Sequence, residues 1–290
     1  MAATEAALKV DRIEDPTDPR IAMYRETRDG RVRQAGLFVA EGRLVVRRLL
    51  EGSRFPTHSV LGTRPALNDL RDALAVRTSV SVYEASPQTI RAVVGFKFHR
   101  GCLALGDAGH PGAADTVFLP AGPRIMLALE DLADPDNVGA VFRNAAAFGA
   151  AGVLLSPGCA DPLSRKAIRV SMGATLSMPF ASTPWHDGLA GLRAAGYMLV
   201  ALTPHPRAAA VQALVMHAAR SRRLALMLGA EGSGLSDEAQ RAADLCVRIP
   251  MAPGADSLNV ATACAIALHR LAGDDPDGKD MKDMMDGEAP

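Results

Sequence analysis

The sequence has few aromatic residues and no net charge, and both absences narrow the functions open to it. Aromatic residues make up 4% of the 290 residues, which argues against base recognition by an extended aromatic stacking platform. Lysine plus arginine and aspartate plus glutamate each total 32. A nucleic-acid partner would therefore have to be bound by a local basic patch rather than by the charge of the whole protein.

The sequence also lacks paired cysteines, metal-ligand clusters and long apolar runs. Its four cysteines are scattered, with no C-x-x-C pair, and we interpret them as reduced, buried thiols: Cys102, Cys159, Cys246 and Cys264. No metal site is predicted, because His205, His217 and His269 stand at no ligand spacing from a glutamate or cysteine. No apolar run reaches bilayer length and no apolar signal-peptide core is present, so we expect a soluble, cytoplasmic protein.

Length and composition predict two folded domains. Hydrophobic residues make up 48% and charged residues 22%, which is typical of a globular chain, and 290 residues suffice for two cores of ordinary size. The expected organisation is a flexible N-terminus at 1–18, a small α/β domain at 19–106, a linker at 107–122, a second α/β domain at 123–273 and a disordered acidic tail at 274–290.

The stretch from Pro19 to Arg33 is dense in arginine. Its candidate phosphate-contacting residues are Arg20, Arg25 and Arg28. Acidic residues are few here, so two interpretations stay open: a solvated charged face and a surface that contacts RNA phosphates. Further along, short apolar runs alternate with amphipathic segments from Leu37 to Asp107, and this alternation predicts the small α/β domain.

Two loops near the C-terminus are the best candidates for a binding site. The apolar runs Leu224–Leu228 and Cys246–Ile249 predict buried strands of a parallel sheet. Each is followed by a polar, glycine-containing loop, at 229–236 and 250–259 respectively. Because ligands bind beyond the carboxyl ends of the strands in open α/β sheets, we expect both loops to line one pocket.

A third segment, upstream, completes the predicted site. Arg124–Glu130 predicts a strand, and the polar turn 131–136 follows it. Asn137 then stands where a helix over Val138–Phe148 needs an N-cap. At the other end of the chain, Ser257 stands at the start of the last predicted helix, where serine is likewise a normal N-cap residue.

These segments resemble the three motifs of the SpoU (TrmH-type) branch of the SPOUT RNA methyltransferases. The resemblance rests on four segments: NVGAVFRNAAAFG at 137–149, GAEGSGLS at 229–236, IPM at 249–251 and SLNVATACAIAL at 257–268. In addition, LFVAEGRLVVRRLLEG at 37–52 resembles the start of the ribosomal-protein-L30e-like substrate-binding domain. The resemblance implies an α/β SPOUT domain with a deep trefoil knot, preceded by that smaller L30e-like α/β domain.

The resemblance also implies a cofactor, S-adenosylmethionine, and the positions that contact it. Those positions are Leu228, Gly229, Gly232, Ile249, Pro250, Met251 and Leu258. An adenine ring has two apolar faces and a polar edge, which apolar side chains and loop main chain can hold together. Glycines allow the main chain to approach such a ligand closely and to take positive φ.

The family's reaction is methylation of a ribose 2′-hydroxyl in rRNA or tRNA, and its catalytic positions are implied by the same motifs. They correspond here to Asn137, Arg143, Glu231, Ser257 and Asn259. Arg143 has two candidate roles, a bidentate grip on an RNA phosphate and the family's suggested base. We favour the phosphate grip, because arginine is effectively always protonated in proteins.

Partners and alternatives follow from the same resemblance. The family works as a homodimer through its C-terminal domain, and the run Ala261–Leu271 is apolar on more than one face, as an interface helix would be. One alternative is a non-catalytic RNA-binding protein of the same fold. Another is an α/β enzyme whose glycine loop holds a different nucleotide, although no dinucleotide fingerprint or P-loop is present.

Overall fold

The computed structural model describes residues 8–25, 29–95, 100–109, 124–214 and 223–272, and these residues build two β-sheets covered by helices. Fold class agrees with the prediction of an α/β protein. Among these residues, no helix has the length and apolar character needed to cross a bilayer. Arg28, most of the predicted linker and the acidic tail lie outside the described residues.

The first sheet is mixed. Its strands are β1 (Asp11–Ile13), β2 (Leu37–Glu41), β3 (Thr57–Gly62), β4 (Ser81–Ala85) and β5 (Cys102–Asp107), in the order β1-β4-β3-β5-β2. The first three in this order are parallel, whereas β5 is antiparallel to both of its neighbours. The 3-10 segment Pro19–Arg25 and helices α1 (Asp29–Gln34), α2 (Arg43–Gly52), α3 (Arg64–Asp69), α4 (Arg71–Ala75) and α5 (Pro87–Val94) accompany it.

Strand β1 was not predicted. Residues 1–18 were expected to be loosely ordered, and that prediction is wrong for Asp11–Ile13, which pair in parallel with Tyr83–Ala85 of β4. Ile13 is buried in the apolar cluster on that face of the sheet. A three-residue strand with one apolar side chain leaves no period in the sequence, so only its partner strand defines it.

The second sheet is parallel throughout. Its strands are β6 (Arg124–Leu129), β7 (Gly152–Leu155), β8 (Phe180–Ser182), β9 (Met198–Leu202), β10 (Ala209–Ala210), β11 (Arg223–Leu228) and β12 (Leu245–Arg248), in the order β10-β12-β9-β11-β6-β7-β8. Helices α6 (Pro135–Ala147), α7 (Arg165–Val170), α8 (Ala174–Ser177), α9 (Trp185–Ala194), α10 (Asp237–Ala242) and α11 (Val260–Ala272) pack around it. Central strands β6 and β11 are almost entirely buried, as parallel strands covered on both faces must be.

The start of α6 corrects one prediction. Asp134, not Asn137, is the N-cap, since its carboxylate accepts a hydrogen bond from the Asp136 main-chain N–H at 2.9 Å. Pro135 occupies the first helical position, where its fixed φ suits a helix and its missing N–H costs nothing. Asn137 therefore lies inside the first turn, where its buried side chain is free for contacts outside the helix.

The two sheets are joined by a shared apolar core. Leu163, Ile168 and Leu176 of the second half belong to the same buried cluster as Phe38 and Val46 of the first half. This junction lies beside α7 and α8, so the first sheet packs against the second half of the protein instead of being tethered only by the chain between them.

Ion pairs at the edge of that junction connect the same two halves. Arg165 donates two hydrogen bonds to the buried Glu41 carboxylate, from Nε at 3.0 Å and from an Nη at 2.8 Å. Arg33 Nε donates to Asp161 at 2.7 Å. Charge-assisted bonds of this kind fix orientation as well as distance.

Candidate active site

A cavity of about 360 Å³ opens beyond the carboxyl ends of β9, β11 and β12. These strands are neighbours in the sheet, so the loops that follow them converge, as the sequence led us to expect. The lining residues come from all three loops and from the start of α11: Leu202, Thr203, Pro204, Leu228, Gly229, Ala230, Glu231, Gly232, Gly234, Ile249, Met251, Ser257, Leu258, Asn259, Val260 and Ala263. The cavity therefore brings together both predicted loops.

The glycine loop after β11 folds back on itself. The Gly234 N–H donates to the Ala230 carbonyl at 2.9 Å, and Gly232 and Gly234 have φ of 86° and 71°. A Cβ at Gly229 would overlap the main chain of Gly234 and Leu235. Only glycine fits at 229, and the tight return places main chain along the cavity wall.

The loop after β12 is largely exposed, and it ends in a cap that corrects a second prediction. Asn259 Oδ1 accepts hydrogen bonds from the main-chain N–H groups of Ala261 at 2.9 Å and Thr262 at 3.3 Å. Asn259, rather than Ser257, therefore caps α11. Ser257 and Leu258 line the cavity, and Leu258 leaves 38% of its surface exposed.

Three predicted catalytic side chains form one hydrogen-bonded cluster at the cavity. Asn137 Nδ2 donates to Glu231 Oε1 at 2.8 Å, and Asn137 Oδ1 accepts from Asn259 Nδ2 at 2.8 Å. Asn259 Nδ2 also lies 3.1 Å from Glu231 Oε1. These residues come from α6, the glycine loop and the start of α11, so the cluster ties together all three motif segments.

A second cavity adjoins the first at the cluster. It has a volume of about 310 Å³, is lined by Asn137, and shares Ala230 and Glu231 with the first. The other lining residues come from the loop after β6: Asp131, Leu132, Ala133 and Asp134. Glu231 and Ala230 thus form a partition between two adjoining spaces.

Glu130 bonds the end of the glycine loop, and sequence reasoning did not identify it. It follows β6 directly and is 7% exposed, and its carboxylate accepts hydrogen bonds from the Ser236 main-chain N–H at 2.8 Å and hydroxyl at 2.6 Å. The available signal was its position, a carboxylate at the carboxyl end of a central strand. Its partner lies 106 residues away, which no local pattern reveals.

Several predicted site residues do not meet at the cavity. Pro250 is exposed and does not line it, and Arg143 is exposed on α6 and lines neither cavity. Within the described part of the chain, no hydrogen bond or ion pair holds the Arg143 side chain. The Arg143 side chain therefore lies on the surface, open to solvent or to a partner.

The predicted RNA-contacting arginines are occupied by local contacts. Arg20 bonds the Asp18 carboxylate, with its closest approach at 2.6 Å, and Arg25 donates to the Pro16 carbonyl at 2.7 Å. These contacts hold the turn before and within the 3-10 segment. Phosphate contact by these two residues stays a prediction.

Two cysteine thiols of the second half, Cys159 and Cys264, lie in environments that oppose ionisation. Burial raises the pKa of the Cys159 thiol, and burial raises the pKa of Cys264 to about 12. Both thiols are protonated at neutral pH and so are poor nucleophiles. Within the described ranges, no group of three or more His, Cys, Asp or Glu side chains is arranged to hold a metal ion.

The fold and the site define an α/β protein with a ligand cavity at the carboxyl edge of a parallel sheet. The model of the SpoU rRNA methylase family matches residues 124–269, and the chain belongs to that family. This match spans the whole second sheet and all three motif segments.

Relatives and solved structures agree over most of the chain. An uncharacterized tRNA/rRNA methyltransferase of Mycobacterium tuberculosis is 41% identical over 269 residues, covering 90% of this chain and 91% of its own. An AdoMet-bound rRNA methyltransferase from Sinorhizobium meliloti superposes with a TM-score of 0.76 at 25% identity, covering 90% of this chain and 97% of its own. An RNA 2′-O ribose methyltransferase structure gives 0.73 at 27% identity, with the same coverage of both chains.

Proposed function

We propose that the protein is an S-adenosylmethionine-dependent methyltransferase that modifies a ribose 2′-hydroxyl in rRNA or tRNA. The observation that carries this proposal is the Asn137–Glu231–Asn259 cluster, of which Glu231 and Asn259 line a ligand-sized cavity. Asn137 is buried, and a buried polar side chain is costly unless its hydrogen bonds are made; here its partners are two side chains of the cavity wall.

The cavity suits the proposed cofactor. Its volume, about 360 Å³, falls in the range of small-ligand sites. Leu228, Ile249 and Leu258 supply apolar surface for the faces of an adenine ring, and the main chain of the glycine loop supplies hydrogen-bonding groups for its edge. When bound, S-adenosylmethionine supplies a methyl group on a sulfonium centre, already activated for transfer.

The acceptor ribose is proposed to bind at the polar cluster. Glu231 is an acceptor-only group when ionised, and it borders both cavities, so it can accept a hydrogen bond from a ribose hydroxyl. Asn137 and Asn259 hold Glu231 in place through their amide groups. Such positioning supplies much of the acceleration when the methyl donor is already activated.

Arg143 is proposed to grip an RNA phosphate across a dimer interface. Its side chain is exposed and lines neither cavity of its own chain. Neighbouring positions Ala146 and Ala147 on α6 and Thr262 on α11 are exposed as well. A homodimer that buries this face brings Arg143 of a second copy towards the site. The trefoil knot that the family resemblance implies also remains a prediction.

The first experiment measures transfer of labelled methyl from S-adenosylmethionine to total RNA from cells that lack the protein. Wild type should label rRNA or tRNA, and Asn137→Ala and Arg143→Ala should not. Alkaline-resistant label at a dinucleotide would place the methyl group on the 2′-oxygen. Absence of both label and cofactor binding by wild type would contradict the proposal.

A mixing experiment tests the shared site. Asn137→Ala and Arg143→Ala are mixed in equal amounts and allowed to exchange subunits. If each site takes Asn137 from one subunit and Arg143 from the other, one of the two sites in every mixed dimer is intact, and about one quarter of wild-type activity should return. A matched mixture of Arg143→Ala with Arg143→Lys serves as the control. Light scattering that gives a monomer, or a mixture that stays inactive, would contradict the composite site.

A further inference from the structure

We propose that Glu130 is a positioning residue for the cofactor cavity, fixing both ends of the glycine loop at 229–235. The inference rests on the proposed function, since it assigns the cavity to S-adenosylmethionine. Glu130 lines neither cavity, so it acts on the ligand only through the loop that it holds.

The first contact fixes where the loop begins. The Glu130 main-chain N–H donates to the Leu228 carbonyl at 2.9 Å, and this bond continues the ladder between β6 and β11 by one residue beyond the last paired strand positions. Leu228 lies immediately before Gly229, so the departure point of the loop is held by the main chain of Glu130.

The second contact fixes where the loop ends. The Glu130 carboxylate accepts from the Ser236 main-chain N–H and from its hydroxyl, at 2.8 and 2.6 Å. The same hydroxyl accepts from the Ala239 N–H at 3.1 Å and so caps α10. One side chain therefore sets both the end of the loop and the start of the helix after it.

The residues between these two contacts are exposed or half-buried, apart from Leu235, which is buried. Few apolar contacts hold Ala230–Gly234, so the shape of the loop depends on its ends and on its internal Gly234–Ala230 bond. This loop contributes five residues to the cavity lining and carries Glu231 to the polar cluster.

Glu130 is buried, and burying a carboxylate costs free energy. A buried carboxylate is tolerated when its oxygens accept hydrogen bonds, and here each oxygen accepts one from Ser236. Ser236 without Glu130 would still cap α10 through its hydroxyl, as the Ser164 hydroxyl caps α7 by accepting from the Ala167 N–H. The additional bond therefore serves the loop rather than the helix.

The test measures S-adenosylmethionine binding by calorimetry for wild type, Glu130→Ala, Glu130→Gln, Ser236→Ala and the control Ser164→Ala. We expect Glu130→Ala to weaken cofactor binding about tenfold, because the loop loses its fixed end. Glu130→Gln keeps the shape and one acceptor, so its loss should be smaller, and Ser164→Ala should bind as wild type does.

Steady-state kinetics provide the readout that a merely structural role would not move. The KM for S-adenosylmethionine should rise in Glu130→Gln while the KM for RNA stays at the wild-type value. Should Glu130→Ala fail to fold, Glu130→Gln and Ser236→Ala decide the question.

Two outcomes overturn the inference and they are distinguishable. Wild-type protein that does not bind S-adenosylmethionine removes the proposed function, and this inference with it. Wild-type binding accompanied by unchanged affinity in folded Glu130→Gln and Ser236→Ala removes the role of Glu130 alone.

Discussion

Each of the two sheets has a cavity at the carboxyl ends of its parallel strands, but the polar side chains at the two cavities differ in burial and in bonding. In the first sheet, β3 and β4 end at a space of about 290 Å³ whose charged lining residues are Arg12, Arg64 and Glu84. There the Arg64 side chain is 73% exposed and pairs with Glu84 at 3.2 Å. In the second sheet, Glu130 and Asn137 are each only 7% exposed, and the side chain of each makes two hydrogen bonds.

A sheet edge alone therefore does not identify a binding site. Exposed ion pairs contribute little to stability and are easily exchanged for water, so the first edge is under little constraint. Buried polar groups are costly unless every bond is made. At the second edge, two such buried groups, Glu130 and Asn137, are bonded to segments more than ninety residues away in the chain, and this is the informative feature.

The largest expected effect is at the polar cluster. Asn137→Ala removes a donor to Glu231 and an acceptor for Asn259, so the Glu231 carboxylate keeps only its bond from Asn259 and is held less firmly. We expect methyl transfer to fall at least about 100-fold, since small misplacements at a reacting centre are costly. Single-turnover labelling of RNA measures it.

Asn144→Ala is the matched control for that variant. Asn144 also lies on α6 and donates to the Ala261 carbonyl at 2.8 Å, but it lines neither cavity. It should lose stability without a comparable loss of rate in the folded protein. Equal rate losses in both variants would show that the cluster holds the helices and has no special part in the reaction.

The next largest effect is expected at the glycine loop. Gly229→Ala forces its Cβ into the Gly234 and Leu235 main chain, so the loop must open and the cavity must change shape. We expect S-adenosylmethionine affinity to fall between about tenfold and about 100-fold, as overpacking at a backbone contact implies. Gly191→Ala, which meets open space on α9, should bind normally. Normal binding by Gly229→Ala would remove the loop from the cofactor site.

The junction between the sheets should show a stability effect without a binding effect. Glu41→Ala removes the carboxylate that pairs with Arg165 and Arg100, and we expect a loss of about 2 kcal/mol in the free energy of unfolding, less than for a fully buried pair because Arg165 is 22% exposed. Urea unfolding measures the loss. Calorimetry with S-adenosylmethionine should give the wild-type affinity, and a changed affinity would mean that the junction reaches the cavity.

The smallest effect is expected at the edge of the first sheet. Arg64→Ala breaks an exposed pair, so the free energy of unfolding should change by less than about 0.5 kcal/mol. Cofactor affinity should not change. If labelling of RNA nevertheless fell sharply, this edge would have to be reassigned as a contact surface for RNA, and the contrast between the two edges would weaken.

The sequence predicted the parts of the site that are local. The apolar run at 224–228 and the glycines after it were enough to place a buried strand and a tight loop, because these depend on neighbouring residues. The cap positions were misjudged where two candidates compete. Pro135 shifts the start of α6 to Asp134, and Asn259 caps α11 in place of Ser257.

The rest of the site depends on contacts between segments far apart in the chain. The pairing of Glu130 with Ser236 and of Asn137 with Glu231 and Asn259 requires the sheet order. Motif resemblance supplied three of these residues without their geometry, and it did not supply Glu130. Arg143 illustrates the converse, since its motif position was clear and its place in the fold is away from the cavity of its own chain.

Because the two sheets share an apolar core, neither half of the protein should be replaceable by the corresponding half of another protein without loss of stability. Leu163, Ile168 and Leu176 would be exposed to water if residues before the second sheet were removed. A heating curve should therefore have one cooperative transition, because neither half can lose its structure without uncovering the other's apolar surface. A substitution on one side of this junction is tolerated only if it fits the side chains on the other side. We therefore expect core residues of the two halves to vary together among related sequences.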